Sequence, residues 1–211
     1  MAKTRNIMLS LLCQMQAPRV GRLCEACGKS GAEFRCLHCH CRPQFCLECL
    51  HQYHRWNPFH KIEEWAGTHY RKTSLAATGF ILHIGHAGQP CPSLGDTAQA
   101  TGSGAMDPSK SSQMLIGDVH GKFSHNVAFC ECQNSVEKWI QLFLAGHFPA
   151  STISPKTAFT FHCLDHAFID LVECHTSCMS FDAKLERLTD NLFPQDVPVS
   201  HYSIYLFFSL R

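Results

Sequence analysis

The sequence has little net charge and few charged residues. Its 211 residues carry 18 Lys and Arg against 17 Asp and Glu, and charged residues make up 17% of the chain. The formal net charge of +1 excludes any argument for a partner from whole-chain electrostatics. Long hydrophobic runs are also missing, because the apolar stretch Tyr202–Leu210 has about half the length that a bilayer-spanning helix needs. We therefore expect no membrane partner.

A convincing secretory signal is missing too. The apolar run Ile7–Cys13 follows Lys3 and Arg5 but has no clear small-residue cleavage site after it, so it is better interpreted as a first helix or a ragged terminus. What the chain does have is 14 Cys and 15 His. Many cysteines in closely spaced pairs are typical of a reducing compartment, and we expect the nucleus or the cytoplasm.

Charge is distributed unevenly along the chain. Residues 1–60 contain eight Lys and Arg against three Glu, whereas residues 150–211 contain four against seven acidic residues. A mildly basic N-terminal part therefore precedes a mildly acidic remainder, which suits a nucleic-acid contact near the N-terminus.

The most informative stretch is residues 24–60, which contains three Cys-x2-Cys pairs followed by two histidines. The pairs are Cys24/Cys27, Cys36/Cys39 and Cys46/Cys49, and His54 and His60 close the series. Eight ligands in four pairs are enough for two tetrahedral zinc sites. A disulfide framework is the alternative, but repeated x2 spacing with trailing histidines is unusual for one.

The order of these pairs resembles the B-box and related cross-brace zinc modules, in which alternate pairs share a metal. This resemblance implies that one zinc binds Cys24, Cys27, Cys46 and Cys49, and that the other binds Cys36, Cys39, His54 and His60. Four nearby side chains could substitute in the second site, namely His38, His40, Cys41 and His51.

The remainder of the chain alternates strand and helix patterns. Residues 80–84, 114–119 and 126–129 predict strands, and residues 87–113 are rich in Gly, Ser, Pro and Ala, which predicts a flexible loop. Apolar residues at helical spacing from Val136 to Leu144 predict an amphipathic helix. Further helices are expected from Phe159 to about residue 173 and over Ser180–Leu188.

Several phrases along the chain together resemble one family. They are HRWNPFHKIEEW, TSLAATGFILHIGH with a downstream Cys-Pro, FCEC, FPASTISPKTAFTF and FDAKLERLTDN, in that order. The family is the CxC-like cysteine-cluster domain associated with KDZ transposases of basidiomycete fungi. In that family the domain precedes a larger RNase-H-like catalytic region, and residues 192–211 do not resemble it, which suggests a truncated gene product.

The resemblance implies a second cluster, because the family repeats a Gly-His, Cys and Cys-x-Cys pattern. Here the matching residues are His86, Cys91, Cys130 and Cys132, with His125 or His83 as substitutes. The alternative is that Cys130 and Cys132 are two buried free cysteines and that the histidine lies on the surface. One departure is Phe123, which stands where the family has a histidine, while His125 lies two residues further on the same strand face.

Two enzyme interpretations compete with this one. The segment Ile116–Gly121 matches the first block of metal-dependent phosphoesterases through Asp118 and His120, but the later blocks of those enzymes are missing. Asp165, Asp170 and Glu173 share one predicted helix, and a solvated acidic face explains them better than a two-metal nuclease site does.

We therefore predict an α+β protein without catalytic activity: a cross-brace zinc finger, a small mainly antiparallel β-domain and C-terminal helices. The expected segments are a tail (1–22), the finger (23–62), the β-domain with its loop 87–113 (63–134), a helical segment (135–191) and a divergent tail (192–211). The expected function is zinc-dependent recognition of transposon-end or target DNA, or of a protein partner, with no small-molecule substrate. A DNA partner is expected to contact Arg19, Arg22, Lys29, Arg35, Arg42 and Arg55, and a protein partner is expected to contact Phe45, Trp56 and Phe59. A B-box-type protein-interaction module with no role in transposition is the alternative.

Overall fold

Two separate β-sheets organise the chain. They belong to two compact units, Met1–Thr78 and Gly79–Arg211. The computed structural model describes residues 2–94 and 111–198. Most of the predicted loop 87–113 and much of the tail 192–211 lie outside the described residues.

The first unit combines a four-stranded antiparallel sheet with two helices. Its elements are α1 (Ala2–Gln14), β1 (Phe34–Cys36), β2 (Gln44–Phe45), α2 (Leu47–His54), β3 (Ile62–Trp65) and β4 (Tyr70–Thr73). The strand order is β2-β1-β3-β4. β3 pairs with β1 in the register Cys36↔Ile62, so β3 and β4 belong to the same sheet as β1 and β2. The expected segment boundary had instead placed residues from 63 onward in a separate β-domain.

Arg35 lies at the centre of this first sheet. Its side chain is 7% exposed, and its Nε donates a 2.7 Å hydrogen bond to Glu63 of β3. The guanidinium also lies 3.8 Å from the ring centroid of Tyr70 on β4. A buried cation needs such partners, so this side chain ties together β1, β3 and β4.

The second unit is built on a mixed five-stranded sheet. Its elements are β5 (Ile81–His83), β6 (Ser112–Asp118), β7 (Gly121–Ala128), α3 (Lys138–Leu144), β8 (His147–Pro149), β9 (Thr157–Thr160), α4 (Phe161–Cys174) and α5 (Cys178–Thr189). The strand order is β5-β7-β6-β9-β8. The pairs β5/β7 and β6/β9 are parallel, and the other two are antiparallel.

Phe159 shows where sequence periodicity was wrong. It was assigned to the helix that follows, but it lies in β9 and pairs with Gly117 of β6. A Cβ built on Gly117 would lie within 2.5 Å of the Phe159 ring, so the ring packs directly on this glycine. The ring also belongs to a core formed with α4 and α5, whose other buried members are Cys163, Leu164, Ala167, Phe181 and Leu185.

The two long helices begin at polar caps. The side chain of Thr160 accepts a hydrogen bond from the backbone N–H of Cys163 at the start of α4, and Ser177 accepts one from Ser180 at the start of α5. The α+β fold class predicted from the sequence is confirmed. Within residues 2–94 and 111–198, no helix is both long and apolar enough to cross a membrane.

Candidate metal centres

Three groups of four cysteine and histidine side chains converge in the described residues. In each group the four ligand atoms all lie within 4.8 Å of one another. We call them the first finger cluster (Cys24, Cys27, Cys46, Cys49), the second finger cluster (Cys36, Cys39, His54, His60) and the CxC cluster (His86, Cys91, Cys130, Cys132). The structure thus brings together the same twelve side chains that the sequence nominated.

In the first finger cluster, a tight turn and a helix N-terminus face each other. The turn is closed by Cys24, whose N–H donates to the carbonyl of Lys29 and whose carbonyl accepts from Gly28, which has a φ of +72°. Cys46 lies directly before the first residue of α2, and Cys49 lies in the first turn of that helix. The sulfurs of Cys27 and Cys46 are 3.8 Å apart.

Backbone amides give the first finger cluster a thiolate-stabilising environment. Burial opposes ionisation of Cys24, but hydrogen bonds from the backbone N–H groups of Cys46, Cys27 and Ala26 lower its pKa to about 6. For Cys49, burial and the neighbouring thiols raise the pKa. Four thiols crowded together cannot all ionise without a cation between them.

The second finger cluster joins the end of β1, the end of α2 and the loop beyond α2. The Nδ1 atom of His54 lies 2.9 Å from the carbonyl of Leu50, which assigns the proton to Nδ1 and leaves Nε2 as the ligand atom. This Nε2 lies 3.9 Å from the sulfur of Cys39. The Nδ1 atom of His60 is 3.5 Å from the sulfur of Cys36 and 3.4 Å from that of Cys39.

Burial favours neutral ligands in this cluster. Burial followed by the neighbouring Cys36 thiol raises the pKa of Cys39 to about 12, and burial lowers the pKa of His54. The cluster therefore combines a neutral imidazole, which is the ligating form, with thiols that ionise when a cation is present.

The CxC cluster forms because β5 and β7 are parallel neighbours. Parallel strands end at the same edge of a sheet, so the residues after β5 meet those after β7. His86 Nε2 lies 3.1 Å from the sulfur of Cys130 and 3.6 Å from that of Cys132, and the sulfur of Cys91 lies 3.6 Å from that of Cys132. Cys130 and Cys132 lie beyond the end of β7, in the segment that follows it.

Neighbouring donors also stabilise negative charge in the CxC cluster. Burial opposes ionisation of Cys91, but hydrogen bonds from the backbone N–H groups of Glu131 and Ser93 lower its pKa to about 6. The hydroxyl of Ser93 lies 3.4 Å from the sulfur of Cys132.

These distances can be compared with a tetrahedral site. Zn–S bonds of about 2.3 Å and Zn–N bonds of about 2.0 Å place sulfurs about 3.8 Å apart and sulfur and nitrogen about 3.6 Å apart. The sulfur–sulfur distances of 3.8 Å (Cys27–Cys46), 3.9 Å (Cys91–Cys130) and 3.6 Å (Cys91–Cys132) fit this geometry. The donor sets are four sulfurs in the first finger cluster, two sulfurs and two nitrogens in the second, and three sulfurs and one nitrogen in the CxC cluster. Each set can therefore hold a metal ion.

The substitutes considered from sequence lie outside the three groups. His125 is buried in β7, and its ring lies 6.1 Å from that of Phe80 and 6.3 Å from that of Phe123, measured between centroids. His51 lies 2.9 Å from the hydroxyl of Thr78. The others, His38, His40, Cys41 and His83, are also not members of any of the three groups found in the described residues.

The pair Asp118 and His120 has a structural explanation. One carboxylate oxygen of Asp118 accepts a 2.9 Å hydrogen bond from the Thr160 hydroxyl, and the other lies near the backbone N–H and Nδ1 of His120, at 3.2 and 2.8 Å. Among residues 2–94 and 111–198, no third Cys, His, Asp or Glu joins this pair in a ligand group. Of the three carboxylates on α4, Asp170 is paired with Lys184 at 2.6 Å.

Two side chains considered for partner contacts prove to be internal. Arg35, one of the expected DNA contacts, is buried against Glu63, and Phe45, an expected protein contact, is 3% exposed. Trp56 keeps its expected exposure, at 63%. Sequence spacing cannot distinguish a buried arginine from an exposed one, because the partner Glu63 is 28 residues away.

Comparison with known proteins gives one family. Residues 75–193, more than half of the chain, match the family model for the CxC2 like cysteine cluster associated with KDZ transposases. This range contains the CxC cluster and most of the second unit. No curated protein and no solved structure matches the chain.

Proposed function

Because the chain belongs to the family of CxC2-like cysteine clusters associated with KDZ transposases, we propose that it is a non-catalytic, zinc-binding accessory region of such a transposase. It recognises DNA through the basic surface of its N-terminal unit. The observation that carries the proposal is the convergence of three complete four-ligand groups.

Zinc is the metal that best suits these donors. Thiolate and imidazole ligands at tetrahedral distances are typical of structural zinc, and four protein ligands leave no open position for a catalytic water. The role of each group is therefore to hold the surrounding backbone: the turn at Cys24 against α2, the end of β1 against the end of α2, and the ends of β5 and β7 together.

Elemental analysis of the purified full-length chain tests the metal proposal. We expect three zinc ions per chain, and Cys132→Ser should lose one while the other two remain bound. Cys46→Ser should lose at least one. The matched control is Cys41→Ser, since Cys41 is an exposed cysteine of the same region and belongs to no group, and it should keep all three ions. A zinc-free protein with oxidised cysteine pairs would overturn the proposal.

Charge separation between the units supports DNA as the partner. The first unit carries eleven Lys and Arg against five Glu, whereas residues 79–211 carry seven against twelve Asp and Glu. Arg22, Lys29 and Arg42 are exposed. Two further arginines are partly engaged: Arg19 pairs with Glu25, and Arg55 lies 4.9 Å from the ring centroid of Trp56.

Salt dependence of binding to a short DNA duplex tests this contact. The slope of log affinity against log salt is negative, and each lost phosphate contact reduces its magnitude by about 0.9. The double variant Lys29→Gln/Arg42→Gln should therefore reduce the magnitude of the slope by about 2. The control variant Lys156→Gln/Arg187→Gln removes the same charge from exposed positions of the second unit and should leave the slope unchanged. A flat titration for the wild type would overturn DNA recognition.

A protein-interaction module is the second candidate, favoured by exposed apolar side chains on and after α2. Trp56, Tyr53 and Leu47 are 63%, 54% and 46% exposed. Aromatic side chains of this kind are enriched at protein interfaces. A flat salt titration in the DNA experiment, together with retained zinc, would favour this candidate.

The absence of catalysis is part of the proposal and has its own test. We expect no hydrolysis of a phosphomonoester or of DNA with added Mn²⁺ or Mg²⁺, because Asp118 is engaged by Thr160 and His120. Metal-dependent hydrolysis that Asp118→Asn abolishes would overturn it.

A further inference from the structure

The side chain of Gln141 makes an unusual set of contacts beside the CxC cluster. Its Oε1 atom accepts a 2.8 Å hydrogen bond from the backbone N–H of Cys130, and its Nε2 atom donates to the carbonyl of the same residue at 3.1 Å. The Nε2 atom also donates to the carbonyl of Val136 at 2.8 Å. One amide side chain thus occupies both backbone groups of a nominated ligand residue.

This arrangement takes the place of a neighbouring strand. The ladder between β5 and β7 ends at His83 and Ala128, so Cys130 lies beyond the regular strand pairing. A primary amide has a donor and an acceptor side by side, and it can pair with the N–H and C=O of one residue as a β-strand partner does. Gln141 is 8% exposed, which means that water cannot readily substitute for it.

The backbone of Gln141 is held in place by the helix that carries it. It lies in α3, which begins at Lys138, and the next residue, Leu142, is fully buried. Gln141 contacts only backbone atoms of Cys130 and Val136 in these bonds, so its effect on the ligand sulfur is indirect. The side chain of Gln141 thus hydrogen-bonds to both ends of the loop from Cys130 to Val136.

We propose that Gln141 is a positioning residue for the CxC cluster. It fixes the backbone of Cys130 so that the sulfur points at the ion shared with His86, Cys91 and Cys132. This inference rests on the proposed zinc binding at that cluster. Outer-shell partners of metal ligands commonly contribute a factor of about 10 to 100 in metal affinity.

The test compares Gln141→Leu with the wild type in the full-length chain. Leu keeps the approximate size and removes all three hydrogen bonds. We expect the affinity for the CxC-cluster ion, identified as the one that Cys132→Ser loses, to fall by about 10- to 100-fold in a chelator competition, with the other two ions unaffected. Gln141→Glu keeps an acceptor for the N–H of Cys130, loses both donor bonds and turns a carboxylate oxygen toward the carbonyls of Cys130 and Val136, so the affinity should fall at least as far as in Gln141→Leu. The control is Gln133→Leu, an exposed glutamine in the same loop.

Cobalt substitution gives a readout that general destabilisation would not change. Co²⁺ bound at a tetrahedral site of three sulfurs and one nitrogen has d–d absorption bands that depend on ligand geometry. We expect these bands to shift or weaken in Gln141→Leu at saturating Co²⁺ and to be unchanged in Gln133→Leu.

Failure of this inference and failure of the proposed function have different signatures. A wild type that binds only two zinc ions would remove the CxC cluster from the proposed function. A wild type that binds three, with unchanged affinity and cobalt spectrum in Gln141→Leu, would overturn the role of Gln141 alone. If Gln141→Leu does not fold, Gln141→Glu provides the same comparison, and its wild-type affinity and spectrum would equally overturn the inference.

Discussion

At the scale of single residues, Lys122 is a buried cation of the second unit that needs compensating negative charge. Its side chain is fully buried, and its Nζ atom lies 2.9 Å from Asp182 and 3.3 Å from Glu186, both on α5. It also donates to the carbonyl of Pro198. Removing one member of a buried ion pair leaves the other charge without compensation, so this pair fastens α5 to β7.

We predict that Lys122→Met lowers the free energy of unfolding by about 3 to 5 kcal/mol, because it leaves Asp182 buried without its cation. The matched control is Lys184→Met, which breaks the exposed pair with Asp170 and should cost about 1 kcal/mol or less. Denaturant unfolding of both variants measures this. The double variant Lys122→Met/Asp182→Leu should recover part of the loss, and a Lys122→Met protein as stable as the control would contradict the prediction.

His147 is the residue from which a pH dependence follows. Burial, partly offset by the charge of Asp118, lowers its pKa from 6.5 to about 4. The folded state therefore keeps this imidazole neutral, while the unfolded chain takes up a proton below pH 6.5. The stability that depends on a neutral His147 is fully present above pH 6.5 and is lost as the pH falls toward 4. The free energy of unfolding decreases by about 3 kcal/mol over this range.

The prediction is that His147→Gln reduces by about one the number of protons taken up on unfolding between pH 4 and 6.5. Denaturant titrations at several pH values in this window give that number from the slope of stability against pH. The control is His162→Gln, at an exposed histidine of α4. Equal slopes for wild type and His147→Gln would show that His147 is not held neutral.

At the scale of secondary-structure elements, one side chain at the start of α4 both caps the helix and binds a buried carboxylate. Thr160 caps the helix through the N–H of Cys163 and also donates its hydroxyl proton to the buried carboxylate of Asp118. Within the described part of the chain, the further partner of Ser177, the cap of α5, is the exposed hydroxyl of Ser180.

We therefore predict unequal effects of removing the two caps. Thr160→Val should cost about 2 to 4 kcal/mol, because it removes the cap and leaves one oxygen of Asp118 without its donor. Ser177→Ala should cost about 1 kcal/mol, the usual value of a cap alone. Thermal and denaturant unfolding compare them, and equal losses would mean that the bond to Asp118 contributes nothing.

The elements also show what a sequence can and cannot predict. Cys-x2-Cys turns bring two donors together locally, so spacing and a family resemblance sufficed to nominate the side chains that meet, while their binding of zinc stays a prediction. The strand Thr157–Thr160 was missed because four residues are too short to establish a period of two, and the apolar Phe159 fitted a helical spacing by chance. The contacts of Gln141 and Arg35 were missed because their partners Cys130 and Glu63 lie 11 and 28 residues away in the sequence.

At the scale of the whole molecule, the two units differ in how much apolar core they contain. Apart from cysteines, the buried apolar residues in the described part of the first unit are Ala32, Phe34, Phe45, Leu50, Ile62 and Leu75. The second unit buries many more, among them Met114, Ile116, Val127, Phe129, Leu142, Phe159, Leu164, Phe181 and Leu185. A small core needs metal ligands to remain folded, whereas a larger core supports a fold without them.

We predict from this difference that metal removal unfolds the units unequally. With a strong zinc chelator under reducing conditions, backbone amides of β1 and α2 should lose their protection against hydrogen exchange, since both elements carry finger-cluster ligands. Amides of β6, α4 and α5 should keep most of theirs, because the core around Phe159 contains no nominated ligand. Hydrogen exchange read by mass spectrometry separates the segments, and Cys46→Ser with zinc present should reproduce the loss in the first unit without affecting α4. Simultaneous loss of protection in α2 and α4 would mean that the second unit depends on metal as strongly as the first, and unchanged protection in α2 would remove the structural role assigned to the finger clusters.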